Sequence, residues 1–319
     1  MSPAHDSPLA TDLAGVRLRA PIILAAGTCG TLDEMSDVLD LARVGGLVTK
    51  SITAEPREGN ATWRIAPCGT GMLNAIGLAN VGAEKFCAEY GPQVARVPCA
   101  VFGSVAGFSI EGYVAAASAM SRVAGLAGLE LNVSCPNVHG GVEFGLDAGA
   151  LRELLSAVRA GVAPGTRVFV KLSPIVAAGP GATIADIARA AIEQGAAGLC
   201  VANTVPAMAI DVRTRRPVLA NNTGGYSGPP VHPIAVKLVH DVHRLVAREA
   251  GVPIVAIGGV TRWEDAAEFI LAGATAVQMG SALFADPALV YRVARGLEAW
   301  TREQKVGRVG ELVGAVKRW

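Results

Sequence analysis

The chain has 319 residues, 51% of them hydrophobic, with a formal net charge of +1 and a pI of about 7.6. This balance lacks the basic stripe of a nucleic-acid binder, so no nucleic-acid partner is expected. No apolar run reaches the roughly 18 residues of a membrane span, and the first ten residues, with His5 and Asp6, do not resemble a signal peptide.

Apolar runs over 21–24, 47–49, 97–101, 128–133, 167–172, 198–201, 253–257 and 274–279 read as strands buried on both faces. Helical patterns fall between and after them, over 32–44, 83–95, 110–123, 148–160, 184–194, 233–250, 262–272 and 287–300. Strands alternating with helices to a count of eight predict an α/β fold, a (β/α)8 TIM barrel forming one domain over 1–319. Three long segments, 51–82, 134–147 and 202–228, follow the second, fourth and sixth strands. They therefore belong to the carboxyl-terminal face, where barrel enzymes build their sites. The stretch 301–319 reads as an extra amphipathic helix.

Cys29, Cys68, Cys87, Cys99, Cys135 and Cys200 are scattered and form no Cys-x-x-Cys pair. Reduced thiols in the cytoplasm suit them better than a disulfide framework, a metal or an iron–sulfur cluster. His240 and His243 stand one helical turn apart, but no third ligand accompanies them, so no metal is expected.

The sharpest segment is Asn132-Val133-Ser134-Cys135-Pro136-Asn137, which leaves the fourth strand through a proline turn. A thiol there can serve as nucleophile or general base, since its reference pKa of about 8.5 is near neutrality. A buried structural cysteine is the plain alternative; the flanking amides and the strand-end position favour a site. Lys50 follows the second strand and Lys171 lies inside the fifth. Lysine is rarely buried unpaired, so each points to an anion or carbonyl at the barrel mouth, or else snorkels to water. Gly258-Gly259 after the seventh strand and Gly280-Ser281 after the eighth stand where barrels hold phosphate on backbone N–H groups. Thr223-Gly224-Gly225-Tyr226-Ser227-Gly228 is a third glycine-rich turn, alternatively a flexible lid. Asn74-Ala75-Ile76-Gly77-Leu78 and Asn203-Thr204 supply amides and hydroxyls that can read the edge of a pyrimidine, although single asparagines also serve turns and caps.

With these residues assembled, the sequence resembles dihydroorotate dehydrogenases over nearly its whole length. The resemblance is carried by Gly71-Met72-Leu73-Asn74-Ala75-Ile76-Gly77-Leu78, Leu131-Asn132-Val133-Ser134-Cys135-Pro136-Asn137 and Val170-Lys171-Leu172-Ser173-Pro174. Ala207-Met208-Ala209-Ile210-Asp211, Leu219-Ala220-Asn221, Thr223-Gly224-Gly225 and Gly258-Gly259 add to it. It implies a barrel that binds FMN and oxidises dihydroorotate to orotate in de novo pyrimidine biosynthesis. A cysteine at position 135 is similar to the soluble class. His139-Gly140-Gly141-Val142-Glu143-Phe144-Gly145 is similar to the NAD-linked subtype. That subtype implies a homodimer joined by an electron-transfer subunit carrying FAD and a [2Fe–2S] cluster, giving a heterotetramer.

By position, the resemblance implies that Cys135 removes the proton from ring carbon 5 while a hydride leaves ring carbon 6 for the flavin. Lys50 would touch flavin and substrate. Asn74, Ala75, Ile76, Gly77, Leu78, Asn132, Asn203 and Thr204 would hold the substrate. Ala26, Ser51, Ser104, Asn132, Lys171, Ala202, Gly228, Gly258, Gly259, Gly280 and Ser281 would hold FMN. Ala26 stands where relatives often have serine and Ser104 where they often have asparagine; each change removes or shortens a contact worth about 0.5–1.5 kcal/mol. Competing readings are a dihydropyrimidine dehydrogenase-like reductase acting on uracil or thymine, a fumarate-linked dihydroorotate dehydrogenase, and a non-catalytic flavin- or phosphate-binding barrel.

Overall fold

Hydrophobic runs too apolar for a one-sided sheet must be covered on both faces, and a closed barrel ringed by helices does this. The computed structural model describes residues 7–134, 144–174, 183–317 and 319. Its eight parallel strands are, in chain order, Ile22–Leu24, Gly46–Val48, Ala100–Val105, Leu126–Asn132, Val168–Lys171, Gly198–Val201, Ile254–Ile257 and Ala276–Met279. Each pairs with the next, and Ala276–Met279 returns to pair with Ile22–Leu24, closing the barrel. Seven of the eight strands fall within two residues of the expected bounds. The third begins at Ala100 instead of Val97, because Val94, Gln93 and their neighbours still belong to the preceding helical segment.

Successive side chains of a strand alternate between faces, so inward positions recur every second residue. The lowest inward layer is apolar. Ile23, Val48, Phe102, Phe169, Val255 and Ala276 belong to one buried cluster, with Phe102 and Phe169 edge-to-face at 5.3 Å. Leu13 and Leu18 join this cluster from the antiparallel hairpin Thr11–Leu13/Val16–Leu18, which plugs the amino-terminal end of the barrel. Its three-residue strands were too short to show a pattern in the sequence. Two residues further along, the inward positions turn polar: Ser104, Glu130, Lys171 and Gln278 are all buried. Nearer the strand ends, Lys50, Asn132, Ala202, Ile257 and Gly280 border open space.

The helical shell is recovered mostly as expected. Ile110–Met120, Ala148–Gly161, Ile184–Glu193, Trp263–Ala272 and Leu289–Glu303 are regular helices. Ser109, Asp147 and Thr183 cap the first three, each side chain accepting from the backbone N–H three residues on. The helical stretches over 83–94 and 232–250 each contain a wide π turn, Phe86–Tyr90 and His243–Ala247. In the first, Pro92 lacks the N–H that would bond to Ala88, and the wider turn precedes it.

Three expectations are corrected. The helix over 32–44 is two short 3-10 turns, Glu34–Asp37 and Leu41–Arg43. The Glu34 carboxylate accepts from Thr31 and Leu32 N–H, and Asp40 adopts extended backbone to accept from Ala42 N–H, so side chains replace the helical ladder. The helix over 301–319 does not form. Lys305 takes a positive φ of 58° after Glu303, and the tail is tied down by bonds from Val309 to Pro8 and from Gly314 to Ile270. Finally, the long segments 51–82 and 202–228 are not merely loops. They contribute Ile65–Cys68, Gly71–Asn74, Gly224–Ser227 and Val205–Ala207 to a four-stranded antiparallel sheet that roofs the barrel mouth. Pro67 and Pro206 sit in its two edge strands, where a missing N–H costs no ladder bond. Among the described residues, no helix is long and apolar enough to cross a membrane.

Candidate active site at the barrel mouth

Between the strand ends and this roof lies a cavity of about 600 Å³, within the usual range for a small-molecule site. Most of the residues singled out from the sequence line it: Ala26, Lys50, Ser51, Asn74, Ile76, Leu78, Asn132, Lys171, Ala202, Asn203, Thr204, Gly228, Gly258, Gly259, Gly280 and Ser281. Ala75 and Gly77 lie in the same segment but are not part of the lining. Ser104 is fully buried behind the wall, its hydroxyl 2.8 Å from that of Ser51, which does line the cavity. Cys135 lies outside the described residues, as does the 139–143 part of the segment that resembles the NAD-linked subtype.

The amides come from three elements and are locked to one another. Asn132 ends the fourth strand, and Tyr113 donates its hydroxyl to the Asn132 carbonyl at 2.6 Å. The Asn132 side-chain oxygen accepts from Asn203 Nδ2 at 3.0 Å and from the Ser134 N–H at 3.3 Å. Asn203 Oδ1 in turn accepts from the Thr204 N–H at 2.8 Å. The network thus spends the acceptor of Asn132 and leaves its amide nitrogen to donate. Asn74 ends a roof strand and donates Nδ2 to Gly225 O at 3.2 Å, leaving its oxygen to accept. A donor and an acceptor therefore face one cavity from floor and roof.

The turn 74–78 is held by two residues that sequence reading missed. Asn60 donates Nδ2 to Ala75 O at 3.0 Å, and its N–H bonds Ile76 O. Asn80 donates to Leu78 O at 2.7 Å and to Thr53 Oγ1 at 2.8 Å. Leu78 adopts φ 58°, a strained value for a leucine, and these bonds hold it there.

Lys50 is mostly withdrawn from water and has no ion-pair partner among the described residues. Burial holds its ammonium below the ordinary lysine range, and the nearby Arg64 cation adds to this. Beneath it, Cys29 donates its S–H to Val48 O at 3.2 Å, and burial pushes that thiol up to about 12, so it stays neutral.

At the opposite side of the cavity, Gly258 and Gly259 take φ of 142° and 70°. A β-carbon on Gly259 would stand 2.7 Å from Gly228 O; only glycine lets the chain make this turn against its neighbour. The N–H groups of Gly259 and Ser281 make no main-chain bond among the described residues, which suits an anion. Arg292 and Asp286, ion-paired to each other, line the rim, and neither was anticipated. Also unanticipated were Glu130 and Gln278 beneath Lys171. The available signal was a polar residue interrupting an apolar run, Leu129-Glu130-Leu131 and Val277-Gln278-Met279.

The family model for dihydroorotate dehydrogenase matches residues 8–300. Over 310 residues the chain is 44% identical to the dihydroorotate dehydrogenase B (NAD(+)) catalytic subunit of Pelobacter propionicus, covering 97% of this chain and 98% of that protein. It is 41% identical over 311 residues to a Solibacter usitatus protein provisionally named dihydroorotate dehydrogenase A (fumarate), again covering 97% and 98%. A crystal structure of DHODH from Eimeria tenella in complex with ferulenol shares the fold, with a TM-score of 0.79 at 22% identity over 98% of this chain and 89% of that one. The match along most of the chain, together with a barrel whose mouth gathers the expected amides and lysines, places this protein in the dihydroorotate dehydrogenase family.

Proposed function

We propose that this chain oxidises dihydroorotate to orotate for pyrimidine synthesis, as the catalytic subunit of an NAD-linked dihydroorotate dehydrogenase. The observation that carries the reading is the convergence of Lys50, Asn74, Asn132, Asn203 and Thr204 on one cavity. These groups match the substrate's carboxylate, carbonyls and ring N–H in charge and in donor–acceptor sense.

The residues present fit FMN. Lys50, Lys171 and Ser51 would hold the ring, and the strand-end glycines with Ser281 would hold the phosphate through main-chain N–H groups. Bound there, FMN supplies the hydride acceptor. The protein's own part is to orient and to move a proton. Cys135 is the base that takes the proton from ring carbon 5. Lys50 and the amide of Asn132 face the charge that develops on the substrate as this proton leaves, and their prior fixation makes them effective. The roof sheet keeps bulk water from the reacting face.

The chain pairs with itself and with an electron-transfer subunit that carries FAD and a [2Fe–2S] cluster, in a heterotetramer. A reducing cytoplasm suits the free thiols of Cys29, Cys68, Cys87, Cys99 and Cys200. Anaerobic titration of the purified yellow protein with dihydroorotate tests the reaction, and bleaching is the expected result. Bleaching by dihydrouracil instead would make the chain a dihydropyrimidine reductase, and no bleaching by either would remove it from catalysis. Reoxidation by fumarate without a partner subunit would overturn the NAD linkage.

Lys50 gives a pH prediction. A lowered value means that the ammonium loses its charge earlier on the alkaline side than an ordinary lysine, whose range centres on about 10.4. Its attraction for the substrate carboxylate disappears with that charge. Accordingly kcat/KM, which reports the free enzyme, should fall at alkaline pH before that range is reached. A bound anion favours the charged form, so the corresponding fall in kcat should come at higher pH. Lys50→Gln should abolish the limb; its persistence in the variant would assign it to another group.

A further inference from the structure

Just below the cavity, four buried polar side chains from four strands meet. Glu130 is 1% exposed, Lys171 5%, Cys200 2% and Gln278 2%. Lys171 Nζ donates to Glu130 Oε1 at 3.4 Å. Gln278 Nε2 and the Cys200 S–H both donate to Oε2, at 2.6 and 3.2 Å. Lys171 and Gln278 also form part of the cavity wall, whereas Glu130 lies behind them and does not. Gln278 Oε1 is buried with no hydrogen-bond partner among the described residues. Its amide has been turned so that the nitrogen serves Glu130.

A buried ion pair is weak evidence for stability, because apolar side chains of the same size often pack as well. The barrel interior one layer down is such an apolar packing. The charges in this layer therefore call for another reason, and the position of Lys171 supplies it. An ammonium on a four-carbon stem is a mobile point charge unless something holds it.

We propose that Glu130 is a positioning residue for the cofactor: it fixes the Lys171 ammonium in the cavity wall and offsets its charge there. This rests on the reading of the cavity as the FMN site. The ring would then meet an oriented donor with little net charge behind it, and the ease of flavin reduction responds to charge placed beside the ring.

The test is Glu130→Gln. The substitution keeps the shape, and a half-turn of the Gln278 amide presents its unpaired oxygen to the new NH2 group, so the cluster stays closed. Lys171 then becomes a buried cation without its counter-charge. The other titratable groups facing it are Cys200 and Cys29, both kept as thiols by burial. The measurement is the midpoint potential of bound flavin in the purified holoprotein at neutral pH. The variant should lie above the wild type, because an uncompensated cation favours the reduced flavin. Lys171→Met, which leaves Glu130 alone, should lie below the wild type.

A Glu130→Gln potential equal to or below that of the wild type overturns the proposal. Bleaching of the wild type by dihydroorotate, run alongside, separates the two levels of inference. A bleached wild type with an unchanged variant overturns the positioning role alone. A wild type that dihydroorotate does not bleach overturns the reading of the cavity and the positioning role together.

Discussion

Replacing Cys135 with alanine is expected to leave a folded protein that still carries yellow FMN while turnover with dihydroorotate falls by about 10²–10⁴-fold, the usual yield of general base catalysis. The hydrogen on ring carbon 5 is too weakly acidic to leave without a positioned acceptor. Cys135 is assigned that role from the sequence, three residues beyond Asn132, and the structure fixes what flanks it. Asn132 is held by Tyr113 and Asn203, and on the far side Gly145 N–H bonds Val133 O at 3.0 Å while Phe144 stands edge-to-face with Tyr113 at 5.8 Å. Both feet of the segment are thus anchored beside the cavity. A thiol must ionise to act as base, so the rate should rise with pH around the thiol's reference value of about 8.5. Together with the fall from Lys50 this gives a bell. Turnover near the wild-type rate in Cys135→Ala, or a flat profile on the acid side, would remove the thiol from the mechanism. Cys135→Ser should also be slow, since a serine hydroxyl ionises far less readily at neutral pH.

The barrel was legible because its signal is redundant: eight apolar runs, each followed by turn residues, admit few topologies. Gly198–Val201 was placed to the residue, since Gly198 and the change to Ala202-Asn203 mark both ends. What failed was structure held by long-range partners. Gly224-Gly225-Tyr226-Ser227 reads locally as a turn, yet it is a strand because Leu73 and Val205 lie across from it. The segment 32–44 has helical spacing, yet Glu34 and Asp40 side chains take the backbone bonds that a helix would need. The site followed the same division. Residues standing at strand ends, such as Lys50, Asn132 and Gly259, could be placed from the strands. Glu130 and Gln278 could be noticed as anomalies in apolar runs, but their meeting needed the closed barrel, in which inward side chains of strands four, five, six and eight reach one another across the interior.

The roof supplies the second large effect: Gly225→Ala should lower kcat/KM by about 10²-fold while moving the thermal transition little. A misplacement of about 1 Å in a catalytic constellation can cost that much, and Gly225 is where such a displacement can be introduced. A β-carbon there would run into Thr204 Oγ1, and on the same strand a β-carbon at Gly224 would run into Asn74 O. The roof strand therefore lies so close to two proposed substrate residues that only hydrogen fits between them. Gly225 O also accepts the Asn74 amide, so a shift of this strand moves Asn74 as well as Thr204. The roof packs through its own small cluster of Leu73, Ala75 and Leu219, apart from the barrel core, so the strain stays local and the fold survives. FMN should remain bound, because of the residues assigned to it only Gly228 follows the shifted strand, whereas Gly258, Gly259, Gly280 and Ser281 belong to the seventh and eighth strand ends. If the alanine variant turned over like the wild type, the roof would be a cover rather than part of the substrate site, and the roles assigned to Asn74 and Thr204 would fall with it.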